Sequence, residues 1–182
     1  MDATVLLLLL FPTASPPIDP NTGAAVTRCP ERIDLLLQNL SKGHIKVMIP
    51  TPVLGELLVK AGPQKAKIIS DISSSSAFQV QPFDQLAAIE LAEILDGNSG
   101  SVKPLTPTET KAKVKFDRQI IAIAKVAQVK TIYTDDGGLR NTAEKNGIVC
   151  VSTHELPLPP EPPQRTLNLI VGPDNPPDQG TW

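Results

Sequence analysis

Residues 116 to 152 read FDRQIIAIAKVAQVKTIYTDDGGLRNTAEKNGIVCVS and carry the clearest structural pattern of the chain. The pattern predicts a largely apolar helix (116–128) and a strand (130–134), followed by a short helix (137–147) and a second strand (148–152). Helices that alternate with short apolar strands are typical of a parallel sheet covered by helices on both faces. We therefore expect an α/β protein.

The same alternation extends toward the amino terminus. IKVMIP (45–50) and FQVQPF (78–83) are predicted strands, and Thr51 followed by Pro52 is typical of a helix start. Further helices are predicted at 31–43, 51–62, 64–75 and 84–97, and a loop at 97–110. The 182 residues, of which 41% are apolar, suit one domain with a real core.

The apolar run VLLLLLF (5–11) is predicted to be neither a membrane-spanning helix nor a signal peptide. A spanning helix needs about 20 apolar residues, and Asp2 gives the wrong charge for a signal peptide. We therefore expect a cytoplasmic protein, in which Cys29 and Cys150 are reduced and structural. The net charge of −2 excludes no partner, because a basic patch can lie on an acidic chain.

Proline marks the regions outside the predicted domain. Eight prolines lie between 157 and 177, and proline removes backbone donors and fixes φ. We expect a domain at 1–155 and a disordered, proline-rich tail at 156–182. The segment 12–30, with an Asn-Thr-Gly turn signal, is expected to be a loop or insertion.

Four acidic residues lie where a predicted strand ends or a helix begins. They are Asp2, Glu56, Asp117 and Asp136. In parallel sheets, sites form beyond the carboxyl ends of the strands. Taken alone, Asp117 is better interpreted as a helix N-cap. Crowded carboxylates repel one another, and a hard divalent cation such as Mg²⁺ or Mn²⁺ removes that penalty. Without a cysteine–histidine cluster, zinc is disfavoured.

Motifs of other chemistries are absent from the sequence, which contains no GxxxxGK[ST], GxSxG, HExxH or GxGxxG. Four segments occur instead in a recognisable order: DATVLLLLL, TPVLGELL, FDRQIIAIA and TIYTDDGGLRNTAEKNGIVCV. From Asp2 to about Ser152 the chain resembles the PIN-domain ribonucleases, which include VapC-type toxins. The resemblance implies a three-layer α/β/α sandwich with a central parallel sheet.

The resemblance also implies metal-dependent cleavage of RNA. The catalytic and metal-binding positions fall on Asp2, Glu56, Asp117 and Asp136. Thr134 matches the small hydroxyl residue that precedes the last aspartate. Asp135 is then expected to cap the helix that begins near Leu139 or to make an outer-shell contact with the metal.

The chain departs from the family at two places. Many relatives carry another acid at the position of Gly138. In the family a strand precedes the first aspartate and the apolar run after it enters a helix. We therefore expect 5–11 to be helical and the first strand to be nearly absent, since only Met1 precedes Asp2.

The expected mechanism is hydrolysis of RNA by a metal-bound water, which leaves a 5′-phosphate and a 3′-hydroxyl. Basic side chains near Asp117 are expected to contact the RNA backbone. They are Lys103, Lys111, Lys113, Lys115 and Arg118; the alternative is a solvated loop rich in lysine. Two other readings remain open, a decayed site that binds RNA or protein and a toxin masked by an antitoxin protein. A homodimer is left open as well.

Overall fold

The computed structural model describes residues 1–11, 13–97 and 111–160. Helices and strands alternate along this part of the chain, as expected. The elements are α1 (Ala3–Leu10), α2 (Cys29–Lys42), β1 (Val47–Pro50), α3 (Thr51–Ala61), α4 (Lys65–Ser74), β2 (Phe78–Gln81), α5 (Gln85–Gly97), α6 (Lys111–Val126), β3 (Thr131–Tyr133), α7 (Gly137–Lys145) and β4 (Val149–Val151). Short 3-10 turns follow α3 (Gly62–Gln64) and β4 (Thr153–Glu155).

The strands form two parallel pairs. β1 pairs with β2, with Val47 opposite Phe78, and β3 pairs with β4, with Thr131 opposite Val149. The expected α/β class is confirmed, whereas the structure shows two two-stranded sheets in place of the expected single sheet.

Met1 and Asp2 lie between the two sheets and form a hydrogen bond to a strand of each. The Met1 amino group donates to the Met48 carbonyl at 3.1 Å, and the Asp2 N–H donates to the Tyr133 carbonyl at 3.0 Å. Met1 and Asp2 thus make one hydrogen bond to β1 and one to β3.

The leucine run folds as predicted. Leucine is a strong helix former, and Ala3–Leu10 is helical with Asp2 as its N-cap. The Asp2 carboxylate accepts a hydrogen bond from the Val5 N–H at 2.9 Å. Val5 and Leu6 are completely buried, so α1 anchors Asp2 in the core.

The helix α6 is the central helix of the core and packs against α5 and α7. Ile121, Ala122 and Ile123 are almost completely buried. α6 begins at Lys111, five residues before the predicted start. Asp117 therefore lies inside the helix, and its reading as an N-cap is wrong.

The predicted loop at 12–30 is largely irregular where the structure describes it. One antiparallel bridge joins Ile18 and Ala25, and the loop ends where α2 begins at Cys29. Most of the loop predicted at 97–110 and of the tail predicted at 156–182 lies outside the described residues. No described helix is both long and apolar enough to cross a bilayer.

Candidate active site

Asp2 and Thr134 form the buried centre of the candidate site. The Thr134 hydroxyl donates a hydrogen bond to the Asp2 carboxylate, and the Thr134 N–H donates to the Val151 carbonyl at 3.0 Å. Burial raises the pKa of Asp2, and hydrogen bonds from Thr134 and Val5 offset this only in part. The charge of Asp2 is therefore costly in this position, and an added cation would stabilise it.

Asp136 lies beside this pair, at the junction of β3 and α7. Its N–H donates to the Thr134 hydroxyl at 3.0 Å, and one carboxylate oxygen accepts from the N–H groups of Gly138 and Leu139 at 2.8 and 3.1 Å. The other oxygen contacts the Lys113 ammonium at 2.7 Å. The Thr134 hydroxyl thus links Asp2 to Asp136.

The pKa of Asp136 is held below its ordinary value. Partial burial works against the carboxylate charge, but the hydrogen bond and charge of Lys113 outweigh it, together with the N–H groups of Leu139 and Gly138. The protein therefore already stabilises the negative charge of the Asp136 carboxylate.

Asp135 serves a different part of the molecule from Asp136. Its two oxygens accept hydrogen bonds from the N–H and the hydroxyl of Thr153, at 2.7 and 2.5 Å. Asp136, and not Asp135, is the N-cap of α7. The expectation that Asp135 caps α7 is therefore wrong, and Asp135 instead holds the turn after β4.

Glu56 and Asp117 face a second part of the site. Together with Lys113 they line a pocket of about 360 Å³ between α3 and α6. Glu56 is exposed and pairs with Lys60 at 2.8 Å, while Asp117 is half-buried. Lys113 lines this pocket and also contacts Asp136, so it connects the two groups of carboxylates.

The predicted RNA-contacting side chains differ in exposure. Lys113 and Lys115 are exposed, which suits contact with a polymer in solvent. Arg118 is only 8% exposed, which is a poor position for such a contact. Lys103 lies outside the described residues, and of Lys111 only its place at the start of α6 is described.

The donor set matches a hard divalent cation in its chemistry, because the candidate ligands are oxygens only. The arrangement is not a closed cage: among the described residues, no three Asp, Glu, His or Cys side chains are grouped so that they could hold a metal ion. The positive charge beside Asp136 is supplied by Lys113. A cation at Asp136 would therefore compete with the Lys113 ammonium.

The residues after β4 that hold the Thr134 backbone in place were not predicted from the sequence. The Ser152 hydroxyl donates to the Thr134 carbonyl at 2.8 Å, and Ser152 and Glu155 form a capping box. Arg140 contacts the Glu155 carboxylate at 2.8 and 2.9 Å. The Ser-x-x-Glu spacing at 152–155 was a readable signal for this turn.

No family model matches the chain, and no curated protein matches it significantly.

Proposed function

We propose that this chain is a PIN-type ribonuclease that hydrolyses RNA with Mg²⁺ or Mn²⁺. The observation that carries the proposal is the linked set Asp2–Thr134–Asp136, which lies where β3 and the Met1–Asp2 segment end. The family resemblance requires three groups at the carboxyl ends of parallel strands. They are a buried carboxylate, a hydroxyl and a second carboxylate.

The proposal includes the finer fold, a three-layer α/β/α sandwich around one parallel sheet. In it, Met1 and Asp2 are the end of a central strand between β1 and β3. Their hydrogen bonds to Met48 and Tyr133 support this placement, and so does the parallel direction of both strand pairs.

In this mechanism the carboxylates of Asp2, Asp117 and Asp136 would be the ligands of the cation, with Glu56 of α3 beside Asp117 in the pocket between α3 and α6. When bound, Mg²⁺ or Mn²⁺ would lower the pKa of a water molecule and would neutralise charge on the scissile phosphate. Thr134 holds Asp2 in one orientation. Lys113 and Lys115 are exposed on α6, and both are proposed to pair with phosphates of the RNA backbone.

A second candidate function is an RNA-binding module without catalysis. Two observations favour it: the described residues contain no three-carboxylate group, and Lys113 already neutralises Asp136. Such a site retains a basic surface but does not need a metal.

One assay separates the two functions. The purified chain is incubated with fluorescent single-stranded RNA in Mn²⁺ or in EDTA. A ribonuclease cleaves only with Mn²⁺, and Asp117→Asn reduces cleavage by roughly 100-fold or more. The control is Asp71→Asn, which removes an exposed carboxylate of α4 that pairs with Lys67.

Both variants are first checked for an unchanged circular dichroism spectrum. RNA binding without cleavage, in Mn²⁺ as well as in EDTA, would establish the binding module instead. Equal cleavage by Asp117→Asn and the parent chain would exclude Asp117 from the site.

A further inference from the structure

Phe116 is an exposed aromatic residue beside the candidate site. It is 54% exposed, whereas the other aromatic residues that the structure describes are half-buried. These are Phe11, Phe78, Phe83 and Tyr133. Single exposed apolar residues are common on protein surfaces, so the surroundings of Phe116 decide what its ring can do.

Phe116 lines the same pocket as two of the candidate carboxylates. Phe116 and Asp117 follow Lys113 at spacings of three and four residues along α6, so the three side chains share one face of the helix. All three line the pocket of about 360 Å³ between α3 and α6, together with Glu56. The remaining lining residues are Pro52, Ala112 and Ile120. The pocket volume lies within the range of small-ligand sites, about 300–1,000 Å³.

The charges of this pocket favour a flat, uncharged group with an anion beside it. The carboxylates of Glu56 and Asp117 repel a phosphate that enters without a cation, whereas the exposed Lys113 attracts one. Phe116 offers an apolar π face next to these charges. Because side chains three residues apart on a helix have Cβ atoms about 5–6 Å from each other, one nucleotide can place its phosphate at Lys113 and its base at Phe116.

We propose that Phe116 is a stacking platform for an unpaired nucleobase, next to the RNA phosphate that pairs with Lys113. The proposal rests on the proposed function only in that the chain binds RNA, with or without cleavage. Aromatic rings of proteins stack on the face of any base. In a duplex both faces of a base are covered by its neighbours, so Phe116 selects single-stranded RNA.

The first test measures binding of a short single-stranded RNA and of its duplex in EDTA. Phe116→Leu keeps an apolar side chain but removes the aromatic ring. We expect its affinity for the single strand to fall roughly 5- to 100-fold, because stacking contributes that much per base, and its affinity for the duplex to stay unchanged. Phe116→Trp restores a ring and should bind the single strand at least as tightly as the parent chain.

The salt dependence separates stacking from a phosphate contact. Phe116→Leu should leave the slope of log affinity against log salt unchanged, because no phosphate contact is lost. The control is Ile69→Ala, which removes a 48% exposed apolar side chain from α4. It should change neither the affinity nor the slope.

A photochemical experiment tests the contact directly. One uridine of the single strand is replaced by 5-iodouridine, which forms a crosslink on irradiation to an aromatic ring stacked on it. Mass spectrometry should locate the crosslink at position 116 in the parent chain and in Phe116→Trp, but not in Phe116→Leu. A crosslink found only at other positions overturns the proposal.

Three binding results also overturn it. They are equal affinity of Phe116→Leu and the parent chain for the single strand, an equal loss of affinity in Phe116→Trp, and no RNA binding by the parent chain. If Phe116→Leu abolishes a concentration-dependent dimer and leaves RNA affinity unchanged, the ring belongs to a contact between two copies, and the proposal fails.

These outcomes are separate from those of the cleavage assay. A ring-dependent affinity without cleavage in Mn²⁺ would support the stacking site and refute only the nuclease. Cleavage that requires Mn²⁺, with the same RNA affinity in Phe116→Leu and the parent chain, would refute only the stacking site.

Discussion

Asp135 and Asp136 are adjacent in the chain, yet their carboxylates serve different parts of the molecule. We expect Asp136→Asn to reduce cleavage by roughly 100-fold, because an amide is a poor ligand for a hard cation. Asparagine remains a good N-cap, so α7 should persist. Stability should fall by less than about 1 kcal/mol, since the lost ion pair with Lys113 is partly exposed.

The matched variant is Asp135→Asn. It should keep most of the activity and lose about 1 kcal/mol of stability, because one of the two Thr153 hydrogen bonds loses its acceptor. Cleavage rates and urea denaturation, measured side by side, provide the comparison. If Asp135→Asn is the inactive variant, the wrong carboxylate has been placed in the site.

The buried carboxylate of Asp2 is expected to lower the stability of the folded protein, although the proposed cleavage reaction requires it. Its pKa is raised by burial, so the folded protein holds the proton more tightly than the unfolded chain, and the charged form is unfavourable at neutral pH. Asp2→Asn removes that cost and keeps a capping oxygen for Val5. We expect a higher melting temperature at pH 7, by about 2–4 °C per kcal/mol gained, together with loss of cleavage.

The pH dependence gives a second measurement of the same effect. The Asp2 penalty grows as the pH rises above about 4, the ordinary pKa of the group, and is relieved as the pH falls. The stability advantage of Asp2→Asn should therefore shrink toward pH 4. Asp34→Asn, which removes an exposed carboxylate of α2, should show no such advantage at any pH. A melting temperature of Asp2→Asn below that of the parent at pH 7 would contradict the argument.

Residues of the site differ in how far the sequence predicted them. The Thr-x-Asp pattern identified Thr134 and Asp136 because both lie within one local turn. The contact between Lys113 and Asp136 could not be predicted, because it depends on how α6 packs against α7. Thr51 was expected to cap α3, but its hydroxyl instead accepts from the distant Phe83 N–H at 3.1 Å.

At the scale of elements, local helix propensity predicted which segments are helical better than it predicted the residue at which each helix begins. The leucine run was correctly predicted as helix, since it needed only leucine and an N-cap. The start of α6 was predicted too late, because the stretch KAKVK at 111–115 looked like a basic loop. Lysine and alanine are good helix formers, and the burial of Val114 draws this turn into the core.

In the segment after β4, we expect the residues up to Leu156 to be essential for stability and the residues beyond Leu156 to be dispensable. A chain ending at Leu156 should retain its stability to within about 0.5 kcal/mol and its full activity. Leu156 is 4% exposed, and its carbonyl accepts from Arg32. Beyond it, Leu158 is 38% exposed, so its removal uncovers little apolar surface.

The matched cut ends the chain at Ser152. It removes the Thr153 partner of Asp135, the Glu155 partner of Arg140 and the buried Leu156 side chain. Losing a buried leucine alone costs roughly 3 kcal/mol, so this chain should melt far below the parent. Thermal denaturation of both truncations decides the point, and a large loss of stability in the Leu156 chain would place an essential contact in the tail.

At the scale of the whole molecule, the sequence predicted the class and direction of the strands but not their pairing into sheets. Parallel pairing followed from the alternation of helices and strands. The position of Met1 and Asp2 between the two sheets could not be predicted, because a strand pattern needs several residues to be recognised. Their role is visible only in the hydrogen bonds to Met48 and Tyr133.

The candidate site is also a property of the whole molecule, since α3, α6, the Met1–Asp2 segment and the β3–α7 junction all contribute to it. Lys113 joins these parts and gives the last prediction. In Lys113→Gln, Asp136 loses its ammonium partner, so a divalent cation no longer competes with it. We expect Mn²⁺ to bind several-fold more tightly, as measured by calorimetry without RNA.

The same variant should bind RNA more weakly in EDTA, because one phosphate contact is lost. The slope of log affinity against log salt should fall by about 0.7 for a single strand. Lys115→Gln, at an exposed neighbour on α6, should show the same RNA defect with unchanged Mn²⁺ affinity. If Lys113→Gln leaves Mn²⁺ affinity unchanged as well, Asp136 is not a cation ligand, and the site is better described as an RNA-binding surface than as a nuclease.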